Sequence, residues 1–147
     1  MLNSDYKDML SALCAEKVKF ILVGAYAMAV HGYPRATMDI DIWILVSSEN
    51  IRAVLGALKL FGAPTADITE KDFNGKNFIF QIGVAPRRID LLTAADGLDF
   101  EEAYKNAREV NFDGIIIKVL SKSDLIKNKR ASGRTKDLAD IEELESR

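Results

Sequence analysis

The chain has 147 residues, of which 48% are hydrophobic and 29% charged, and its formal net charge is −2. That balance belongs to a globule of one domain, residues 1–147, with a real core, and excludes a disordered chain. A charge so near zero also excludes a surface built as a whole for nucleic acid or anionic lipid.

Taken in order, residues 3 to 17 read as an amphipathic helix. Tyr6, Met9, Leu10, Leu13 and Cys14 recur at helical spacing, with Asn3 or Ser4 as cap. "VKFILVG" (18–24) is a short apolar run closed by Gly, the pattern of a buried strand, and "AYAMAVHG" (25–32) begins a short helix directly after it. "YPRAT" is a loop, since Pro34 disfavours helix at Tyr33. "DIDIWILV" (39–46) is a second strand. Ser47 or Ser48 then caps a helix with Ile51, Val54, Leu55, Leu58 and Phe61 on one face. Residues 61–76, "FGAPTADITEKDFNGK", read as the longest irregular and most mobile stretch. "NFIFQIG" (77–83) and "RRIDLLT" (87–93) read as a hairpin across "VAP". A helix near 99–109, a strand at "GIIIKVL" (114–120) and helices at about 121–131 and 134–145 complete the chain. The expected architecture is α/β (α+β), a small mixed β-sheet flanked by helices and carrying C-terminal helices.

Cysteine and histidine occur once each, which excludes an internal disulfide and the usual zinc ligand sets within one chain. Cys14, among apolar neighbours, reads as a buried small hydrophobe. No apolar run has the length of a membrane span, and "MLNSDYKDML" lacks the pattern of a signal peptide. No membrane partner is expected, and the expected compartment is the cytoplasm.

Asp39 and Asp41 are the anomaly. Aspartate is disfavoured in strands, yet these two stand at i and i+2, on one strand face, among Ile40, Ile42, Trp43 and Ile44. Two carboxylates so placed repel unless a cation sits between them, and Mg²⁺ typically takes one or two carboxylates together with substrate phosphates. Asp90, in "RRIDLL", is the candidate third acid. Read alone, "DID" is as readily an edge strand with its polar face in water, and Asp90 a solvated residue. The three together are harder to explain that way. "VGAYA" (23–27) adds a strand–Gly–helix junction, where unpaired backbone N–H groups face any anion placed there and Gly24 permits close approach.

"VGAYAMAVHGYPRATMDIDIWI" resembles the nucleotidyltransferase signature of the DNA polymerase β-like superfamily: a strand ending in Gly-Gly or Gly-Ser, a short helix, then Asp-x-Asp on the next strand. The His-Gly, Arg and Thr before the acidic pair resemble the bacterial branch that includes abortive-infection and toxin-type nucleotidyltransferases. "SDLIKNKRASGRTKDLADIEEL" (123–144) is similar to that branch's C-terminal motifs, a Lys on one helix and Arg-x-Lys-Asp on the next. Ala25 stands where the family has Gly or Ser.

The resemblance implies a nucleotidyltransferase fold and Mg²⁺-dependent transfer of a nucleoside monophosphate from an NTP to a hydroxyl acceptor, with pyrophosphate released. The acceptor is an RNA end, a protein or a small molecule. Asp39, Asp41 and Asp90 are implied as metal ligands and catalytic residues, with Asp90 also activating or orienting the acceptor hydroxyl. Gly24 and the N–H of Ala25 are implied to cradle the triphosphate, and Arg35 and Thr37 to reach phosphate oxygens. Lys127 and Lys136 are implied nucleotide contacts, and Asp137 a residue orienting Lys136 or Arg134. For Lys127 and Lys136 a solvated helix face is the equal alternative, for Arg35 a surface loop, and Asp140 reads as part of an acidic face. Arg87 and Arg88 either bind phosphate or acceptor, or balance the acids. His31 reads as packed or helix-ending. The basic run from Lys118 to Lys136, broken only by Asp124, leans toward an anionic acceptor or the triphosphate. A partner protein such as an antitoxin is expected to supply acceptor recognition. The competing function is a catalytically degenerate module of the same fold that binds nucleotide or protein without turnover.

Overall fold

The computed structural model describes residues 3–33, 39–75, 77–83 and 87–146. Among them the chain runs through α1 (Ser4–Ala15), β1 (Phe20–Val23), α2 (Gly24–Val30), β2 (Ile40–Ile44), α3 (Ser48–Phe61), α4 (Glu70–Phe73), β3 (Ile79–Ile82), β4 (Ile89–Leu92), α5 (Phe100–Asn106), β5 (Arg108–Phe112), β6 (Ile115–Val119), α6 (Lys122–Ser132) and α7 (Thr135–Glu145). The six strands form one mixed sheet in the order β3-β4-β2-β1-β6-β5. The pairs β1–β2, β3–β4 and β5–β6 are antiparallel, whereas β1–β6 and β2–β4 are parallel. A mixed sheet flanked by helices is the architecture expected from the sequence.

Local chemistry explains most boundaries. Asn3 caps α1 through the N–H of Asp5 at 2.8 Å, and Ser47 caps α3 through the N–H of Asn50 at 3.1 Å. Gly62 and Gly133 end α3 and α6 in the left-handed conformation. The central strands β1 and β2 are apolar almost throughout, and Ile21, Leu22, Ile40, Ile42 and Ile44 are fully buried. They belong to a core completed by Met9, Leu10 and Leu13 of α1 and Ile51, Val54 and Leu58 of α3. None of the helices described is long and apolar enough to cross a membrane.

Three expectations fail here. The helix near 99–109 ends at Asn106, and Arg108–Phe112 form β5, paired with β6 from Arg108↔Val119 to Phe112↔Ile115. Asp113 and Gly114, both at positive φ, make the two-residue hairpin turn that Asp-Gly favours. The stretch 61–76 is not wholly irregular. It holds α4, whose Thr69 and Asp72 form a capping box. Phe73 of that turn is fully buried, edge-on to Phe78 at 5.1 Å. Cys14 is exposed rather than buried. It lies one position past buried Leu13, on the edge of the α1 apolar stripe.

Candidate active site

Sheet register assembles the acids. Asp41 sits in β2 opposite Val23 of β1 on one side and Asp90 of β4 on the other. Neighbouring strands lie about 4.8 Å apart, so in-register residues of a parallel pair hold their side chains on one face at close range. Asp39 lies just before β2, tied to β4 by the backbone N–H of Arg88, which donates to its Oδ1 at 3.1 Å.

The crowding leaves an electrostatic signature. Burial first, then the charges of Asp90 and Asp39, push the Asp41 carboxyl up to about 6. Among the described residues, Arg88 is ion-paired with two of these acids. Arg88 donates from Nε to Asp90 Oδ1 at 2.8 Å and from Nη2 to Asp90 Oδ2 at 3.1 Å, and its Nη2 lies 3.5 Å from Asp39 Oδ2. Arg88 therefore balances the acids, one of the two roles its position allowed. Hard carboxylate oxygens with a surplus of negative charge suit a hard divalent cation such as Mg²⁺. Among the described residues, no three acids are drawn together closely enough to hold an ion as they stand.

Gly24 explains itself by contact. It opens α2 directly after β1 with φ +67°, and a Cβ added there would lie 2.3 Å from Asp41 Oδ2. Any side chain at position 24 would therefore strain the backbone and strike an acid. Val23, the residue at the N-cap of α2, offers no side-chain acceptor to the first N–H groups of the helix.

The acids open into a cleft of about 880 Å³, whose wall includes Gly24, Ala25, Asp39, Asp41, Arg88 and Asp90. The α6–α7 pair contributes Lys129, Ser132, Arg134, Lys136, Asp137 and Asp140 to the same cleft. Lys129 is 9% exposed, and its ammonium donates to Asp140 at 2.8 Å and stands 3.5 Å from Asp137. Asp137 also accepts from Ser132 Oγ at 2.7 Å and from Arg134 Nε at 2.8 Å. Burial works against the Asp137 charge. The Arg134 and Ser132 hydrogen bonds and the Arg134 and Lys129 charges overcome it and hold the carboxyl at about 2.

The structure thus brings Asp39, Asp41, Asp90, Gly24, Ala25 and Lys136 to one cleft. Lys127 is exposed and absent from the cleft wall. Lys129 lines it instead, and Asp140 is a buried partner of Lys129 rather than part of an acidic face. Asp137 orients Arg134. Arg35 and Thr37 fall outside the described residues. His31 ends α2, with Nε2 at 2.8 Å from the Leu120 carbonyl, the packed role expected of it. The sequence did carry a signal for Lys129. It lies four residues after buried Leu125, on the same helix face, whereas Lys127 does not.

Comparison with known proteins agrees with this geometry. A family model described as nucleotidyltransferase of unknown function (DUF6036) matches residues 2–145. A candidate nucleotidyltransferase from Thermotoga maritima has a similar structure, with TM-score 0.65 and 19% identity, covering 100% of this chain and 97% of that one. An antigenic nucleotidyltransferase-like protein from Paracoccidioides brasiliensis is similar at TM-score 0.52 and 17% identity, covering 95% of this chain and 74% of that one. At such identities the two structures speak for the fold. No protein of curated function matches the chain. The match of a family model over nearly every residue decides membership: this chain belongs to the DUF6036 family of nucleotidyltransferases.

Proposed function

We propose that the chain catalyses metal-dependent transfer of a nucleoside monophosphate from an NTP to a hydroxyl acceptor, releasing pyrophosphate. One observation carries the reading: Asp41 and Asp90 stand in register on adjacent strands, with Gly24 against Asp41 and Lys129 on the wall of the same cleft. Asp39, Asp41 and Asp90 would hold Mg²⁺, which when bound offsets the negative charge on the phosphoryl oxygens. The cleft volume of about 880 Å³ suits a small molecule such as a nucleotide.

The chain's own groups do the rest. Gly24 lets the backbone N–H of Ala25 approach the triphosphate. Lys129, fixed by Asp140, presents a positive charge that needs little reorganisation when the substrate's charge shifts. Asp90 takes the proton of the acceptor hydroxyl as its oxygen bonds to the α-phosphorus. The bond from that phosphorus to the β-bridging oxygen breaks, and pyrophosphate leaves. Arg35, Thr37 and Lys136 complete the proposed phosphate contacts. The acceptor class (an RNA end, a protein or a small molecule), an antitoxin-like partner and a cytoplasmic setting belong to the proposal.

Calorimetric titration of ATP, CTP, GTP and UTP with Mg²⁺ tests it, on wild type and on the Asp39→Asn/Asp41→Asn double variant. Metal-dependent binding of one NTP, lost in the variant, is the expected result. An α-phosphate label that moves to an acceptor while pyrophosphate is released then establishes the reaction class. NTP binding indifferent to the two substitutions overturns the reading. One observation favours a non-catalytic module instead: Arg88 grips the third acid with a two-point hydrogen bond. A module of that kind would bind an NTP and transfer no label.

A further inference from the structure

We infer that Arg88 is a tethered counter-cation that competes with a metal ion for the third acid, so that its guanidinium must release Asp90 before the metal can load. The inference rests on the proposed metal site. Arg88 and Asp90 stand at i and i+2 entering β4, so both side chains point to the face that carries Asp41. The guanidinium meets both oxygens of Asp90, at 2.8 and 3.1 Å, and reaches Asp39 at 3.5 Å. A carboxylate engaged at both oxygens has about half of its four lone-pair sites left, and the guanidinium charge stands beside them. Guanidinium and metal therefore compete for the same atoms.

The backbone of Arg88 cannot leave to resolve that competition. Its carbonyl accepts from the Ile40 N–H at 3.0 Å and its N–H donates to Asp39 at 3.1 Å, so it is part of the β2–β4 seam. The side chain can leave, being 31% exposed at the cleft. A charge that is fixed at one end and free at the other offsets the charge of Asp39 and Asp90 and would yield to a doubly charged ion.

Mn²⁺ titration followed by electron paramagnetic resonance tests this without any turnover. Wild type, Arg88→Gln, Arg88→Lys and Asp41→Asn are compared, each with its melting transition recorded with and without Mn²⁺. Arg88→Gln is expected to bind Mn²⁺ about tenfold more tightly than wild type, the scale of one charge-assisted hydrogen-bonded pair. Its metal-induced rise in melting temperature is expected to exceed that of wild type. Arg88→Lys should fall between the two, because an ammonium cannot make the two-point bond. That variant carries the test with the same sign if Arg88→Gln does not fold. Unchanged or weaker Mn²⁺ binding by the Arg88 variants, with wild-type binding abolished by Asp41→Asn, overturns the inference and leaves the metal site standing. Absence of Mn²⁺ binding in every protein, or binding indifferent to Asp41→Asn, defeats the metal site itself and the inference with it.

Discussion

The two ends of the β1–β2 pair are built on opposite principles. At one end Asn50, only 6% exposed, joins the residue before β1 to the residue after β2. Its Oδ1 accepts from the Lys19 N–H at 2.8 Å, and its Nδ2 donates to the carbonyls of Lys19 at 3.1 Å and Leu45 at 2.8 Å. Each contact there is a neutral donor meeting a neutral acceptor. At the other end Val23 and Gly24 meet Asp41, with Asp39 and Asp90 beside it and one arginine among three acids. The first end holds the strands together at low cost. The second accumulates charge that folding alone does not require and that the proposed chemistry would use.

Substitution at each end should separate the two. Asp41→Asn is expected to lower nucleotidyl transfer by at least about a thousandfold, because such transfer depends on positioning and charge neutralisation. Its melting temperature should equal or exceed that of wild type, since a crowded charge has been removed. Thermal melts and label transfer on one preparation check both halves, and a large loss of stability would refute the division. Asn50→Ala should do the reverse. Two backbone groups, the Lys19 N–H and the Leu45 carbonyl, lose that partner, while the Lys19 carbonyl keeps the Leu45 N–H at 3.2 Å. The expected cost is about 2–4 kcal/mol in chemical denaturation, where each unpaired buried group costs about 1–3 kcal/mol. Activity per folded molecule, measured well below the transition, should not change.

A third test asks whether the α6–α7 wall resembles the stable end or the charged end. Asp137 is buried, charged and satisfied at once. Its folded value of about 2 lies below the ordinary 3.8, so the unfolded chain binds the proton more readily. Its contribution is therefore complete above about pH 4–5 and is lost as pH falls toward 2, amounting to about 2 kcal/mol for a shift near two units. The difference in stability between wild type and Asp137→Asn should shrink over that window as the pH is lowered. A difference independent of pH would mean that Asp137 contributes through packing and not through its charge.

The same contrast explains what could be read in advance. Period-two alternation broken by two acids, and a Gly at a strand–helix junction, are local patterns, so β1, α2, β2 and the acids at 39, 41 and 90 were visible in the sequence. The register that sets Asp41 beside Asp90 is a long-range pairing between β2 and β4, and no local pattern encodes it. Nor does any encode the reach of Arg88 back to Asp39. β5 is hidden for another reason: helical periodicity runs on past Asn106 and competes with the Asp113-Gly114 turn that pairs β5 with β6. Asp140 reads as part of an acidic face because acids crowd the last residues of the sequence, and only the packing of α7 on α6 shows that Lys129 covers it.

The smallest expected effect is the sharpest test of that packing. Lys127 and Lys129 are two residues apart on α6, and positions i and i+2 of a helix do not share a face. Lys127 points away from the cleft and is exposed. Lys127→Ala should therefore leave stability within about 0.5 kcal/mol of wild type, as for ordinary surface substitutions. It should also leave the apparent NTP affinity within about twofold, since an exposed charge at that distance is largely screened by salt. Lys129→Ala removes the cation from Asp140 and Asp137, of which Asp137 keeps its bonds to Ser132 and Arg134. That variant should lose stability by about 3 kcal/mol, the usual result of breaking a buried pair on one side. The stability loss would follow from burial alone, so affinity has to decide the functional role. Lys129→Ala/Asp140→Asn removes the cation together with the Asp140 charge and should recover part of the stability. If the double variant still binds NTP weakly while Lys127→Ala binds normally, Lys129 acts on the substrate. If its affinity returns with its stability, Lys129 serves the α6–α7 wall, and the positive charge proposed to face the triphosphate is that of Lys136, Arg134 or Arg35.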